Sequence, residues 1–192
     1  MGLRIPTLSS SNFTGLLNDA ASSPTVRFWK NFLPIPATNK MEIGSAAPDF
    51  ELPDVTHNQS LRLSNLYRQQ PVVLAFTRIF TEHQYCPLCL PHIKALNEAY
   101  PQFQQQGIEV LLITSTDQLQ SQKVVTDLQL NLPLLSNPSC DVFRRYGTGQ
   151  ALGAPLPAQF VIDTQGKLQF KHLFSFFDNN ASLTTLLQAL AS

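Results

Sequence analysis

Cysteine is scarce in this sequence, with three in 192 residues. An odd and low count excludes the paired disulfide framework of small secreted proteins and leaves thiols for chemistry. There is no excess of either charge. Thirteen basic and thirteen acidic side chains give a formal net charge of zero, with no block of like charge. Nothing here marks a nucleic-acid or an anionic membrane surface as a partner. Long apolar runs are absent: Val110–Ile113 is typical, far below the roughly 20 residues of a spanning helix, and the N-terminus has no continuous secretory core. The expectation is a soluble cytoplasmic protein with one well-cored domain and an appendage.

What is present centres on one stretch. Val72-Val73-Leu74-Ala75-Phe76-Thr77 is an apolar run bounded by Pro71 and polar residues, which suits a parallel strand buried on both faces. It leads through Arg78 and Tyr85 to Cys86-Pro87-Leu88-Cys89 and then to Ile93, Leu96, Tyr100 and Phe103 at helical spacing. A cysteine on the first turn of a helix meets unpaired N–H groups and the positive end of the helix dipole, so Cys86 is the expected nucleophile. Cys89, one turn on, is the expected resolving thiol. The dipole alone supplies about 1 kcal/mol or less. His83, with Arg78 as a second candidate, is therefore expected close to Cys86 as a further stabiliser of its thiolate.

Two other readings of the pair stand beside this one. His83, Cys86, Cys89 and His92 are four ligand types that suit zinc, but four ligands three apart on one helix do not readily converge on a tetrahedron. Two inert, buried cysteines fit a spaced pair at a helix start less well. Redox chemistry ranks first, with no metal and no cofactor. His92 is expected at the surface, and Cys140, at the start of a later helix without a spaced partner, is expected to be structural.

Around this centre the chain divides into a 1–40 extension and a domain over 41–192. The extension holds five serines, prolines at 6, 24, 34 and 36, a single acid at Asp19, and aromatics at Phe28, Trp29 and Phe32. It reads as a loosely ordered arm whose aromatics rest on the domain, with Pro34-Ile35-Pro36 as a stiff linker. In the domain, Leu52, Leu61, Leu63 and Leu66 suggest short strands. A second buried strand is expected at Ile108–Thr114, and a helix capped by Ser115 or Asp117 follows it. A short strand over Leu132–Leu135 and a helix opened by Asn137-Pro138 come next. Thr164-Gln165-Gly166 signals a hairpin, and Leu183, Leu186, Leu187 and Leu190 form a terminal helical stripe.

Gly44-x-x-Ala47-Pro48-Asp49-Phe50, Leu63-Ser64-Asn65-Leu66, Val72–Phe76, Gly107-Ile108-Glu109-Val110, Pro133–Ser136, Tyr146-Gly147 and Phe160-Val161-Ile162-Asp163-x-x-Gly166 together resemble the thioredoxin superfamily. More narrowly they resemble its peroxiredoxin-like branch, the alkyl hydroperoxide reductase and thiol-specific antioxidant family, over about residues 43 to 190. The resemblance implies an α/β thioredoxin-like fold: a central mixed sheet with helices on both faces. It also implies a disulfide or peroxide substrate, a thioredoxin-like reductant and a monomer or homodimer.

The sequence departs from the peroxiredoxin pattern before Cys86, where Ile79 and His83 replace the proline and the hydroxyl residue. Pro157 stands where the family's arginine would be, and it matches instead the cis-proline that thioredoxin-like disulfide reductases set beside their cysteine pair. Tyr85 takes the place of their tryptophan. The frame thus resembles a peroxiredoxin and the site a thiol–disulfide oxidoreductase acting through Cys86 and Cys89. The alternatives are a thiol peroxidase with Cys86 peroxidatic, and a non-catalytic or zinc-bound domain.

Overall fold

The computed structural model describes residues 32–38, 41–175 and 180–190. In chain order its strands are Glu51–Asp54 (β1), Gln59–Arg62 (β2), Val72–Phe76 (β3), Ile79–Thr81 (β4), Gln84–Tyr85 (β5), Glu109–Thr114 (β6), Leu134–Ser136 (β7), Gln150–Ala151 (β8), Ala154–Pro155 (β9), Ala158–Ile162 (β10) and Leu168–Leu173 (β11). Its helices are Leu63–Tyr67 (α1), Leu90–Gln105 (α2), Gln118–Leu128 (α3), Asp141–Arg145 (α4) and Leu183–Gln188 (α5).

Seven strands form one sheet in the order β11-β10-β3-β6-β7-β1-β2. β3 pairs parallel with β6, and β6 parallel with β7, because α2 and α3 carry the chain back over the sheet between them. β10 runs antiparallel on the other edge of β3, with Gln159 opposite Ala75. All five residues of β3 are buried, as its unbroken apolar sequence requires.

Successive side chains of β3 point to opposite faces and so divide the core in two. Val72, Leu74 and Phe76 join Phe143, Tyr146 and Phe160 on the face under α1 and α4. Val73 and Ala75 join Ile93, Leu96, Phe103, Val124, Leu186 and both Cys86 and Cys89 on the face under α2, α3 and α5. The sheet is mixed and carries helices on both faces, as expected. At about 1.5–3 kcal/mol per fully buried Val, Leu, Ile or Phe side chain, this second face is the firm base on which the cysteine pair rests.

Several local expectations change. Leu63 and Leu66 lie on a helix, because the Asp49 carboxylate accepts hydrogen bonds from the Ser64 N–H at 2.9 Å and the Ser64 hydroxyl at 2.8 Å, capping that turn from a distant part of the chain. α2 starts at Leu90 with Pro91 in its first turn, where a missing N–H is tolerated, and it continues through Pro101. Cys140 sits just ahead of α4 with φ of 56°, buried, its sulfur 3.7 Å from the Pro138 carbonyl.

The Pro34-Ile35-Pro36 segment lies against the domain. Ile35 exchanges two 2.8 Å backbone hydrogen bonds with Gln150, adding a bridge to the β8–β9 hairpin. The close approach is built into the sequence: a Cβ on Gly149, whose φ is +77°, would come within 2.6 Å of the Ile35 carbonyl oxygen. Phe28 and Trp29 lie outside the described residues. Among the described residues no helix is long and apolar enough to cross a membrane.

Candidate active site

The site forms where β3 runs out. Thr77 still donates to the Ile113 carbonyl of β6 at 2.9 Å. The chain then leaves the sheet, turns through the small β4–β5 hairpin and returns, with Ile79 opposite Tyr85. This return brings Cys86 back to Arg78, whose carbonyl accepts the Cys86 N–H at 3.3 Å. The sequence between them looked like a simple strand-to-helix junction. The hairpin escapes notice because its strands are three and two residues long.

Cys86 is not on the first turn of α2 but heads a separate turn before it. Its carbonyl accepts the N–H groups of Cys89 and Leu90, each at 3.0 Å, and Cys89 is the N-cap residue. Both are buried, Cys86 at 8% exposure and Cys89 at 1%, so Cys89 is the more deeply enclosed of the two. Both are free thiols.

The two thiols share one turn of the chain, and their mutual influence drives them apart in acidity. Cys86 is pulled down to about 5, first by the Cys89 thiol donating to it, with the Leu88 and Cys89 N–H groups and the Arg78 charge adding to the effect and burial opposing it. Cys89 is pushed far up, first by the same contact and then by burial. At neutral pH Cys86 is a thiolate and Cys89 holds its proton. This is the asymmetry that a nucleophile and a resolving thiol need.

Arg78 serves the pair twice. Its backbone N–H and its positive charge both act to lower the Cys89 pKa against the larger opposing influences, and the residue is 8% exposed. The guanidinium lies 4.7 Å from the centre of the Phe80 ring, and its Nη2 donates to the carbonyls of Ala151 and Leu152 at the tip of the β8–β9 hairpin. Burial lowers its pKa, yet a guanidinium keeps its charge in a protein. Its Nε is buried without a hydrogen-bond partner among the described residues.

The other expected residues fall differently. His83 is exposed in the turn between β4 and β5, its N–H bonded to the Thr81 hydroxyl at 3.3 Å. The hairpin folds so that Arg78 at its base, rather than His83 at its tip, meets Cys86. Tyr85 packs on the cysteine-side core, and its hydroxyl donates to the Glu82 carbonyl at 3.0 Å, closing the hairpin.

His92, expected at the surface, is half-buried against the Ala181 carbonyl at 3.1 Å, and burial draws its pKa down to about 4. His83 and His92 therefore do not close on the cysteines. Among the described residues no three metal-ligating side chains come together.

The Leu156–Pro157 bond is trans rather than cis. A cis-proline serves a tight turn, whereas here the chain passes extended from β9 into β10, and for such a path the ordinary trans preference stands. Pro157 is buried, and its match to the cis-proline position does not extend to the bond's geometry.

Two residues of the site went unnoticed in the sequence, Gln159 and Asn180. Gln159 is fully buried in β10, and its amide bonds Asn180 at 2.9 Å. Asn180 in turn reaches the Leu88 carbonyl between the two cysteines at 3.0 Å. The available signal was a lone polar residue within the otherwise apolar strand Ala158-Gln159-Phe160-Val161-Ile162.

Comparison with known proteins gives the same chemistry. The chain is 33% identical over 128 residues to the thiol-disulfide oxidoreductase ResA of Geobacillus thermodenitrificans, a match covering 66% of this chain and 67% of that protein. The crystal structure of the peroxidoxin BcpB from Mycobacterium tuberculosis superposes with a TM-score of 0.63 at 25% identity, over 79% of this chain and 95% of that one. The reduced 2-Cys peroxiredoxin of Plasmodium vivax shares the fold, with a TM-score of 0.67 at 19% identity over 78% of this chain and 80% of that one. The AhpC/TSA family model matches residues 43–171. With a family match over most of the domain and a thiolate–thiol pair at the end of its central strand, this chain is a thiol redox protein and belongs to the AhpC/TSA family.

Proposed function

We propose that the protein is a thiol–disulfide oxidoreductase that reduces disulfide substrates through Cys86 and Cys89. The observation that carries this reading is the pair of free thiols, Cys86 and Cys89, held in one turn by the Cys89 N–H to Cys86 carbonyl bond at 3.0 Å at the end of the central strand. The Cys86 thiolate attacks one sulfur of a substrate disulfide, forms a mixed disulfide and expels the other sulfur as a thiolate. Cys86 is then neutral, and the two influences of its sulfur that hold the proton on Cys89, the hydrogen bond and the negative charge, are gone.

Cys89 passes its proton to the departing thiolate and attacks the Cys86 sulfur. The Cys86–Cys89 disulfide forms and the second substrate thiolate leaves. The substrate has gained two electrons and the protein has lost two. A dithiol reductant of the thioredoxin type restores the pair by the reverse exchange, with the cytoplasm as the proposed compartment.

A second reading, an antioxidant thiol peroxidase, has Arg78 in its favour. A buried guanidinium with an unpaired Nε stands beside Cys86, in the role of the arginine that the family pattern lacks here. Cys86 becomes a sulfenic acid in that reading, and Cys89 condenses with it to release water.

Insulin-disulfide reduction and hydrogen peroxide consumption, measured side by side, separate the two. Disulfide reduction with slow peroxide turnover is expected, and Cys89→Ser should accumulate as a mixed disulfide through Cys86. Peroxide reacting with Cys86 orders of magnitude faster than with free cysteine would replace the first reading by the second.

A further inference from the structure

Two hydrogen bonds in series join the buried sheet to the peptide between the two cysteines. Gln159, with no exposed surface, uses both ends of its amide: its Oε1 accepts the Ala181 N–H at 2.8 Å and its Nε2 donates to Asn180 Oδ1 at 2.9 Å. Asn180 Nδ2 then donates to the Leu88 carbonyl at 3.0 Å. That carbonyl belongs to the same peptide unit as the Cys89 N–H, which points to the other side and donates to the Cys86 carbonyl at 3.0 Å.

The unit is planar, so fixing its C=O fixes the direction of its N–H. A hydrogen bond accepted by the C=O also polarises the N–H opposite and strengthens it as a donor. The Cys89 N–H is one of the two backbone donors that act on the Cys86 sulfur.

We infer that Gln159 and Asn180 are positioning residues for Cys86, holding the Leu88–Cys89 peptide so that its N–H stays directed at the nucleophilic residue. The inference rests on Cys86 being the nucleophile. Leu88 lies one residue ahead of the N-cap Cys89, so its carbonyl is outside the helical ladder and needs a partner from elsewhere. Asn180 supplies it. Its amide cannot swing away, because Gln159, tied in turn to the Ala181 N–H, holds its other end.

The Leu88 side chain stays half exposed, at 50%, so the clamp grips the backbone of this residue and not its side chain. Of the ionisable groups around Cys86, Arg78 and Cys89 are the two that act on it, and the side-chain amides of Asn180 and Gln159 bond each other, the Leu88 carbonyl and the Ala181 N–H instead.

The test reads Cys86 acidity and redox poise in the full chain. Asn180→Leu keeps the size of the side chain and removes both bonds. The pH of half-maximal Cys86 alkylation should rise by about one unit, a tenfold loss of thiolate on the acid side. Because the dithiol form loses thiolate stabilisation, the equilibrium with glutathione should shift about tenfold toward the disulfide, a reduction potential about 30 mV more negative. Gln159→Leu should move both quantities in the same direction.

A merely structural role would lower the thermal stability of the oxidised and reduced proteins alike and leave the alkylation profile in place. If folded Asn180→Leu protein titrates with the wild type, the clamp is refuted, and this holds even where Gln159→Leu fails to fold. A wild-type Cys86 with an ordinary thiol pKa would instead overturn the thiolate mechanism proposed above, so the two failures are distinguishable.

Discussion

Removing the Cys89 sulfur is the most direct perturbation of the Cys86 thiolate. The first cause of the low Cys86 pKa is the Cys89 thiol that donates to it. Cys89→Ala deletes that donor and leaves the Leu88 and Cys89 N–H groups and Arg78 in place. A hydrogen bond to a charged group contributes about 1.5–3 kcal/mol, or roughly 1–2 pK units at about 1.36 kcal/mol each. From a starting value of about 5, the alanine variant should titrate at roughly 6–7. Cys89→Ser retains an O–H donor and should stay within about half a unit of the wild type.

The assay is the rate of iodoacetamide alkylation against pH on a Cys140→Ala background, reading the pH of half-maximal rate. The absolute rate at neutral pH is the wrong readout, because a smaller thiolate fraction in the less acidic variant is offset by the greater nucleophilicity of its thiolate. Superimposable profiles for Cys89→Ala and the wild type would refute the reasoning. The backbone donors and Arg78 would then hold the thiolate by themselves, and the proton on Cys89 would have no part in activating its neighbour.

Three further outcomes are expected. Arg78→Met removes the charge but not the backbone contacts, and since that charge is the weakest of the influences on Cys86, the half-maximal alkylation pH should rise by about one unit; no rise would show that the backbone of residue 78 is its whole contribution. His83→Ala should leave the Cys86 profile unchanged, because His83 sits exposed at the hairpin turn, and a shift of more than about half a unit would bring the histidine back to the sulfur. Ile35→Pro deletes the N–H that bonds the Gln150 carbonyl at 2.8 Å, which should cost about 1 kcal/mol and lower the melting temperature by about 2–4 °C; an unchanged melting curve would mean that the arm adds nothing to the β8–β9 hairpin.

The frame and the reactive pair were legible in the order of residues alone. An apolar run such as Val72–Phe76 is stable only when covered on both faces, so the central strand was legible, and so was the parallel crossover to β6. The Cys86/Cys89 spacing was legible because three residues suffice to bring two thiols together whatever the rest of the chain does. The family motifs carried the mixed sheet.

The surroundings of the pair were decided by tertiary structure. Whether Arg78 or His83 meets Cys86 depends on a hairpin too short to leave a periodic signal. Whether Pro157 is cis depends on what precedes it, and a second small hairpin there passes the chain on extended. Leu63 and Leu66 lie on a helix because Asp49 caps it from across the chain. Gln159 reads in the sequence as an interruption of a strand. Only when β10 packs against β3, with Asn180 beside it, does that residue acquire a line of hydrogen bonds to the peptide between the cysteines. Local pattern fixes which faces are buried, whereas contacts between residues distant in sequence fix which polar groups meet, and the chemistry of Cys86 rests on the latter.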